Sequence, residues 1–401
     1  FDLRFLALGL AEKGKWTIRQ LGAAIKHENY DMAQPHPDIL VKPVDGFGNR
    51  DMLRQLLAVE KPDLLLLFTD PRFFVWVWQM EDEIHQVCPI AYWHVWDNDP
   101  YPEFNNAFYQ STDLINCHSY KTYELVSKRH PSKTNFIPHA LPQDIYKPLS
   151  PEKVRQHKRE LLGEDRQDHF VGIWINRNAK RKRPNDLLVS WKLFLDELEK
   201  KHGHKKATLI MHTDPFDQEG PNLQSSMELL GIQENVSISP QRIDFEQMNV
   251  LHNISDFCIN ISLNEGFGLT TLEAMQCGKP IIALKTGGLT RQVVDHRDGS
   301  ENGFALDPDM RSLVGSQMVP YIYEDYCTNE KTADAIMKMY DLGPEGREKL
   351  GQKARDYVLS EFALDKTIDL WDDTLTQLVD DWENNREKIY SPWRMKVMSG
   401  K

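Results

Sequence analysis

Two acids, Glu265 and Glu273, stand eight positions apart in ISLNEGFGLTTLEAMQCGKPIIALKTGG, residues 261–288, on either side of a glycine-flanked turn. A carboxylate accepts hydrogen bonds from two vicinal hydroxyls at once, so a pair of them suits a ligand carrying a sugar at each end. Gly266 and Gly268 let the backbone pass close to a ligand, and the free N–H groups that open a following helix form an anion site between the acids. Hydroxyl-rich groups flanking a phosphate describe a nucleotide sugar. The bland reading stays open beside it: Glu273 on a solvated helix face and Glu265 in a loop.

A second candidate is the basic run in NRNAKRKRPNDLL, residues 176–188, where Arg177, Lys180, Arg181, Lys182 and Arg183 put five cations within seven positions. The run follows the strand-like HFVGIWI and precedes a helical NDLLVSWKLFLDELEKK. Open α/β sheets bind phosphates at such carboxyl ends of strands. A solvated charge cluster, or a patch for an acidic partner, is the alternative.

The elements that must position these residues read as α/β. FCINISL is a β-branched and aromatic strand, Thr270–Gln276 is a short helix stopped by Gly278 and Pro280, and PIIALK is the next strand, a βαβ unit of a parallel sheet. The alternation holds twice, with a Pro-rich break near residues 138–152. The first part is read as the strand FLALGL, a loop AEKGKW, the helix TIRQLGAAIKHE, then DILVKPV, RDMLRQLLAVE, PDLLLLF, PIAYWHVW and LINCHSY. The second part supplies HFVGIWI, ATLIMHT, VSISP, FCINISL and PIIALK as strands. Ile368, Trp371, Leu375, Leu378 and Trp382 recur at helical spacing, and the aromatic residues of the final REKIYSPWRMKVMSGK are expected to anchor the tail on the first domain. The division expected is 1–150, joined by the tail 383–401, and 151–382.

With 401 residues, 40% hydrophobic and 27% charged, the chain has the composition of a soluble globular protein with room for two or three domains. It has no apolar run long enough for a transmembrane helix. The net charge of −12 argues against broad nucleic-acid binding, which needs clustered Lys and Arg. Five scattered cysteines without metal spacing fit a reducing, cytoplasmic setting. The opening at Phe1, without an initiator Met, leaves room for a preceding segment.

EGFGLTTLEAMQCGKPIIA closely resembles the Glu-x7-Glu block of retaining glycosyltransferases with the GT-B fold, the family 4 type related to glycogen and starch synthases. GGLTRQVVD resembles the glycine pair that follows in that family, although Arg291 and Gln292 stand where a Glu is common. NRNAKRKRP resembles the Arg and Lys pair that holds the donor diphosphate. IPHALPQDIYKP resembles the end of the first domain, with Ala140 and Leu141 in place of Gly-Val. The resemblance runs from about residue 90 to 310 and is architectural before that.

It implies two Rossmann-like domains whose parallel sheets face each other across a cleft, acceptor domain first, with a C-terminal helix crossing back. It also implies roles. Glu273 would accept from ribose hydroxyls and Glu265 from sugar hydroxyls near the reacting carbon. Gly266, Phe267, Gly268, Leu269 and Thr270 would line the sugar and phosphate. Arg177 would hold the diphosphate with Lys182, or with Arg183 one step away. His94 in AYWHVWD would approach the transferred sugar, and Gly14 would pack its backbone against the diphosphate.

The reaction implied is transfer of a sugar from a UDP- or GDP-sugar to a hydroxyl acceptor with retention, by a front-face route without metal or other cofactor. Negative charge growing on the leaving diphosphate would be met by Arg177, Lys182 and the helix N-terminus. Asp97–Asp99, reading DND, resembles a metal-binding Asp-x-Asp motif of another fold, but lies outside the donor half; a loop or acceptor-site reading is preferred. Aromatic runs FFVWVW and YWHVWDNDPYPEF fit core or sugar stacking. The acceptor is left open among a glycan, a lipid-linked glycan and a small molecule, with peripheral membrane contact allowed. Alternatives are a sugar-nucleotide epimerase, a phosphorylase and a non-catalytic nucleotide-sugar binder; a dehydrogenase is disfavoured by the missing Gly-x-Gly-x-x-Gly.

Overall fold

The structure is a computed structural model in which residues 2–23 and 30–389 are described. In the second half, six parallel strands run in the order Val236–Ser239, Ala207–His212, Phe170–Ile175, Phe257–Asn260, Ile281–Leu284 and Gly303–Leu306. Their alternation feeds two cores: Trp174 and Phe257 pack with Trp191 and Phe194 on one face, while Ile173 and Cys258 pack with Leu272 and Tyr357 on the other. The chain starts this sheet at Phe170–Ile175 and builds outward to one side, then crosses to add Phe257–Asn260 on the other. The strand order therefore reverses between these two neighbours, and ligands of open α/β sheets bind at the carboxyl ends of such a pair. Arg177 follows the first strand and Glu265 follows the second.

The first half holds a parallel sheet of Leu65–Phe68, Ile90–His94, Leu114–Cys117 and Thr134–Phe136. A smaller sheet pairs Ile18–Gly22 parallel to Ile39–Pro43, with Ala33–His36 antiparallel on its far side. Here the expected order of the first elements is corrected. FLALGL is part of the helix Asp2–Glu12, and TIRQLG gives the strand Ile18–Gly22 where a helix was expected. Residues 24–29 of that expected helix lie outside the described residues. A short apolar run fits helix or strand equally well by periodicity. The choice is made by packing: Leu6 and Leu10 join the core with Trp93 and Trp371, and Ala7 and Ala11 join the one with Ile39. FCINISL is shorter as a strand than expected, ending at Asn260, which frees Ile261–Gly268 to form the turn.

The last helix, Leu364–Ile389, crosses back onto the first half. Trp371 packs at 5.0 Å from the Trp93 ring, Trp16 Nε1 donates to Asp372 Oδ1 at 2.6 Å, and Trp382 stacks at 5.4 Å on His85. The crossing is thus made by the amphipathic stripe itself; the aromatic anchors expected in the final segment, Tyr390 and Trp393, lie outside the described residues. No helix of the described residues is long and apolar enough to cross a membrane. An antiparallel hairpin, Met310–Val314 with Ile322–Tyr326, leaves the second half and reaches the segment after His94. Its contacts form a clasp between the halves. Asn98 Nδ2 donates to Asp325 Oδ2 at 2.7 Å and Thr286 Oγ1 at 3.1 Å, and Asp99 Oδ2 accepts from Arg311 Nη1 at 3.1 Å.

Candidate active site

The turn between Asn260 and Leu269 is wound by local hydrogen bonds. Asn260 Oδ1 accepts from Ser262 N at 3.1 Å and Ser262 Oγ at 2.6 Å, which brings the chain round so that Glu265 faces the end of the neighbouring strand. Gly268 then takes φ 93°, a left-handed value, and opens the helix Leu269–Gln276 as its N-cap. A Cβ at Gly268 would lie 2.5 Å from Leu289. Gln292, where a Glu is common in the resembled family, has a structural reason: its amide Nε2 donates to the carbonyls of Phe267 at 2.8 Å and Gly268 at 3.1 Å. A carboxylate has no proton to give them.

From the other strand, the basic run sorts into separate tasks. Lys182 is buried and its Nζ pairs with Glu265 Oε2. Arg181 donates to Asn264 O at 3.2 Å. Arg183, at φ 55°, turns the opposite way into the start of the helix Pro184–His202, with Asp186 Oδ2 at 3.0 Å and the Tyr326 ring beneath its guanidinium. Of the two residues held open as partner to Arg177, only Lys182 lines the same cavity. Burial pushes the Glu265 carboxyl up, but Lys182 and Arg181, with hydrogen bonds from Lys182 and Asn260, outweigh it and hold the group below the ordinary carboxylate range. Glu265 is therefore an anion at neutral pH.

Arg177, Lys182, Glu265, Gly268, Leu269 and Thr270 line one cavity of about 580 Å³, which continues past His212 to Gln241 and Arg242. Its size and lining suit a nucleoside diphosphate. Glu273 lies beneath it, on the next turn of the helix from Leu269. The side chain is 7% exposed, and Oε2 sits 2.9 Å from Nε2 of the fully buried His252. The reading of Glu273 as a residue of a solvated helix face therefore does not hold. Phe267 wedges between the halves, edge-on to His139 at 5.0 Å and to Phe362 at 5.7 Å.

Besides Arg183, two more distant expected residues are not brought to this cavity. Gly14 ends the first helix, its N–H bonded to Ala11 O at 2.9 Å, between Lys13 and Lys15, which pair with Asp369 and Asp372 of the terminal helix. His94 is sealed in the first half, its Nε2 2.8 Å from Tyr109 Oη, and burial drives its pKa well below the ordinary histidine value. The histidine beside the turn is His118, one residue past the neighbouring strand. Its Nδ1 donates to His94 O, and a Cβ at Gly266 would lie 2.7 Å from its Nε2. Burial lowers its pKa, against the opposing pull of the His94 carbonyl and Glu265. Asp97 faces the same peptide: the Gly266 Cβ position is 2.7 Å from its Oδ1, and burial raises its carboxyl against Arg181. The sequence signal for both was available, as polar residues at the carboxyl ends of expected strands, Asp97 just past PIAYWHVW and His118 near the end of LINCHSY, but which of them turns toward the turn depends on register between strands.

Two facing α/β domains, with an acid-flanked turn at the switch point of the second, define the GT-B architecture. The chain matches the family described as Glycosyl transferases group 1 over residues 163–357, just under half of its length. It is 28% identical over 235 residues to D-inositol 3-phosphate glycosyltransferase of Corynebacterium jeikeium, covering 54% of each chain. It is 31% identical over 132 residues to trehalose synthase of Pyrococcus horikoshii, covering 33% of this chain and 26% of that one. The matches thus span about half, or less, of the length of these curated relatives. Among solved structures, sucrose-phosphate synthase from Thermosynechococcus elongatus superposes with a TM-score of 0.71 at 17% identity, over 94% of this chain and 92% of that one. The Anabaena protein HepE in complex with UDP-glucose does so at 0.63 and 17%, over 84% and 86%. These likenesses establish the fold.

Proposed function

We propose that the chain transfers a sugar from a nucleotide-diphosphate sugar to an acceptor hydroxyl, with retention and without a metal or other cofactor. Residues 1–150 would serve as the acceptor half and 151–382 as the donor half. The observation that carries this reading is the buried Lys182–Glu265 pair beside the Gly268 turn and Arg177, all on one cavity at the switch point. The donor's diphosphate would lie between Arg177, Lys182 and the N–H groups that open the helix Leu269–Gln276. As the anomeric bond breaks, these donors stabilise the leaving diphosphate while the ionised Glu265 faces the positive sugar ring. Glu273 would exchange its His252 contact for ribose hydroxyls, or share it with them. His118 and Asp97 close the sugar end from the first half, which favours transfer over hydrolysis by excluding water. No carboxylate is assigned as a nucleophile, so the acceptor would enter on the face the diphosphate leaves. The likeness to HepE in its complexes with UDP and UDP-glucose supports a UDP-sugar donor. The test is release of nucleoside diphosphate from UDP- and GDP-sugars over a panel of glycan, lipid-linked and small-molecule acceptors. Acceptor-dependent release supports transfer. Interconversion of the sugar without release indicates an epimerase, and binding without either indicates a non-catalytic relative.

A further inference from the structure

Arg177 is engaged by carboxylates from a loop that the reading above leaves without a task. Between the strand Ala207–His212 and the helix Leu223–Leu230, the chain runs through TDPFDQEGPN. Asp217 grips Arg177 with both oxygens, Oδ2 to Nε at 2.7 Å and Oδ1 to Nη2 at 3.1 Å, and Glu219 Oε2 meets Nη1 at 3.0 Å. The body of the loop is fixed independently of these contacts. Lys180 N donates to Glu219 O at 3.2 Å, Asn178 Nδ2 donates to Pro221 O at 2.8 Å, and a Cβ on Gly220 would lie 2.2 Å from Asn178 Oδ1. Asp217 Oδ1 also accepts from Glu219 N at 3.0 Å, which aims both acids at one guanidinium. Three guanidinium nitrogens are thereby committed, the same planar donor fork that binds phosphate oxygens.

Resting on the proposed donor site, we propose that Asp217 and Glu219 are an internal counter-anion which the donor's diphosphate must displace from Arg177, so that these two acids set donor affinity. The diphosphate and the carboxylates compete for one fork. Lys182 differs, because its partner Glu265 belongs to the sugar site and stays. Arg177 is 59% exposed on its side chain, so its pairs are of the kind water and salt weaken, and an entering dianion or trianion outcompetes them. The loop thus discriminates by charge: a ligand with one phosphate gains less from the exchange than one with two.

The test is titration calorimetry with UDP, GDP and inorganic pyrophosphate on wild type, Asp217→Asn and Glu219→Gln. Asn keeps the turn's acceptor, and Glu219 is 62% exposed, so at least the second variant retains the fold; thermal unfolding checks both. We expect binding tighter by roughly three- to tenfold in Asp217→Asn, less in Glu219→Gln, with both gains shrinking as salt rises. Unchanged or weaker binding in both variants, with the wild type binding normally, overturns the exchange and leaves the donor site standing. A wild type that binds none of the three probes overturns the donor site and the exchange together.

Discussion

Replacing Lys182 by Met removes the positive half of a buried ion pair while keeping the length of the side chain. The two side chains are 9% and 14% exposed, so Glu265 would be left largely out of water with only Arg181, Asn260 and Ser262 nearby. Breaking a buried pair from one side costs about 3–5 kcal/mol, and the residual exposure and Arg181 reduce this to about 2–4 kcal/mol. The cost carries a pH signature. In the wild type the Glu265 carboxyl is held below its unfolded value, so its contribution is fully present above that value, about 4.3, and is lost as pH falls through the lower folded value. In the variant, burial loses its main opponent and the folded carboxyl moves up, so the variant loses stability as pH rises through the unfolded value. The deficit of the variant should therefore grow as pH rises from below the wild-type folded value to pH 7, by about 1.4 kcal/mol for each unit by which the two folded values separate. Urea unfolding of both proteins across that range measures it. A deficit below about 0.5 kcal/mol, or one that does not change with pH, would refute the buried pair.

Gln292→Glu sets a carboxylate against the carbonyls of Phe267 and Gly268 at a fully buried position, and should cost about 2–4 kcal/mol in chemical unfolding, where a solvated Gln would cost nothing. Gly287→Ala places a Cβ 2.0 Å from Glu265 O and 2.3 Å from Asp97 O, one from each half, at φ 47°. Wedging the halves apart by even an ångström should lower kcat/KM on the order of a hundredfold and increase the radius of gyration in small-angle scattering; unchanged values would contradict the tight contact. Arg311→Met strips the buried Asp325 of its bidentate partner, leaving Thr286 and Asn98 as donors, with an expected loss of about 2–3 kcal/mol in urea unfolding.

The second half was legible because its signals are local. FCINISL, the glycine turn, the short helix and the Gly278–Pro280 stop fall within one βαβ unit, and the basic run follows its strand directly. The choice between Lys182 and Arg183 was not legible, since it turns on the left-handed φ of Arg183, which swings that side chain away. His94 was placed at the cleft by the resemblance of AYWHVWD to the family's strand-end histidine. Yet its strand pairs His94 with Cys117, and it is the next residue, His118, that clears the sheet edge. The first helix was misread because FLALGL carries no period of its own; its partners Trp371 and Ile368 are some 360 residues away. DND read as a loop or acceptor segment, and its Asn98 and Asp99 bind a hairpin whose position only the folded chain reveals.

The most direct test of the central claim is a crystal structure with a nucleotide sugar bound. The account predicts the diphosphate within about 3.2 Å of Arg177, Lys182 and the backbone N–H groups at residues 268–270, Glu265 against the sugar and Glu273 against the ribose. A donor seated elsewhere, with Lys182 and Glu265 still joined to each other alone and Glu273 still closed on His252, would contradict it.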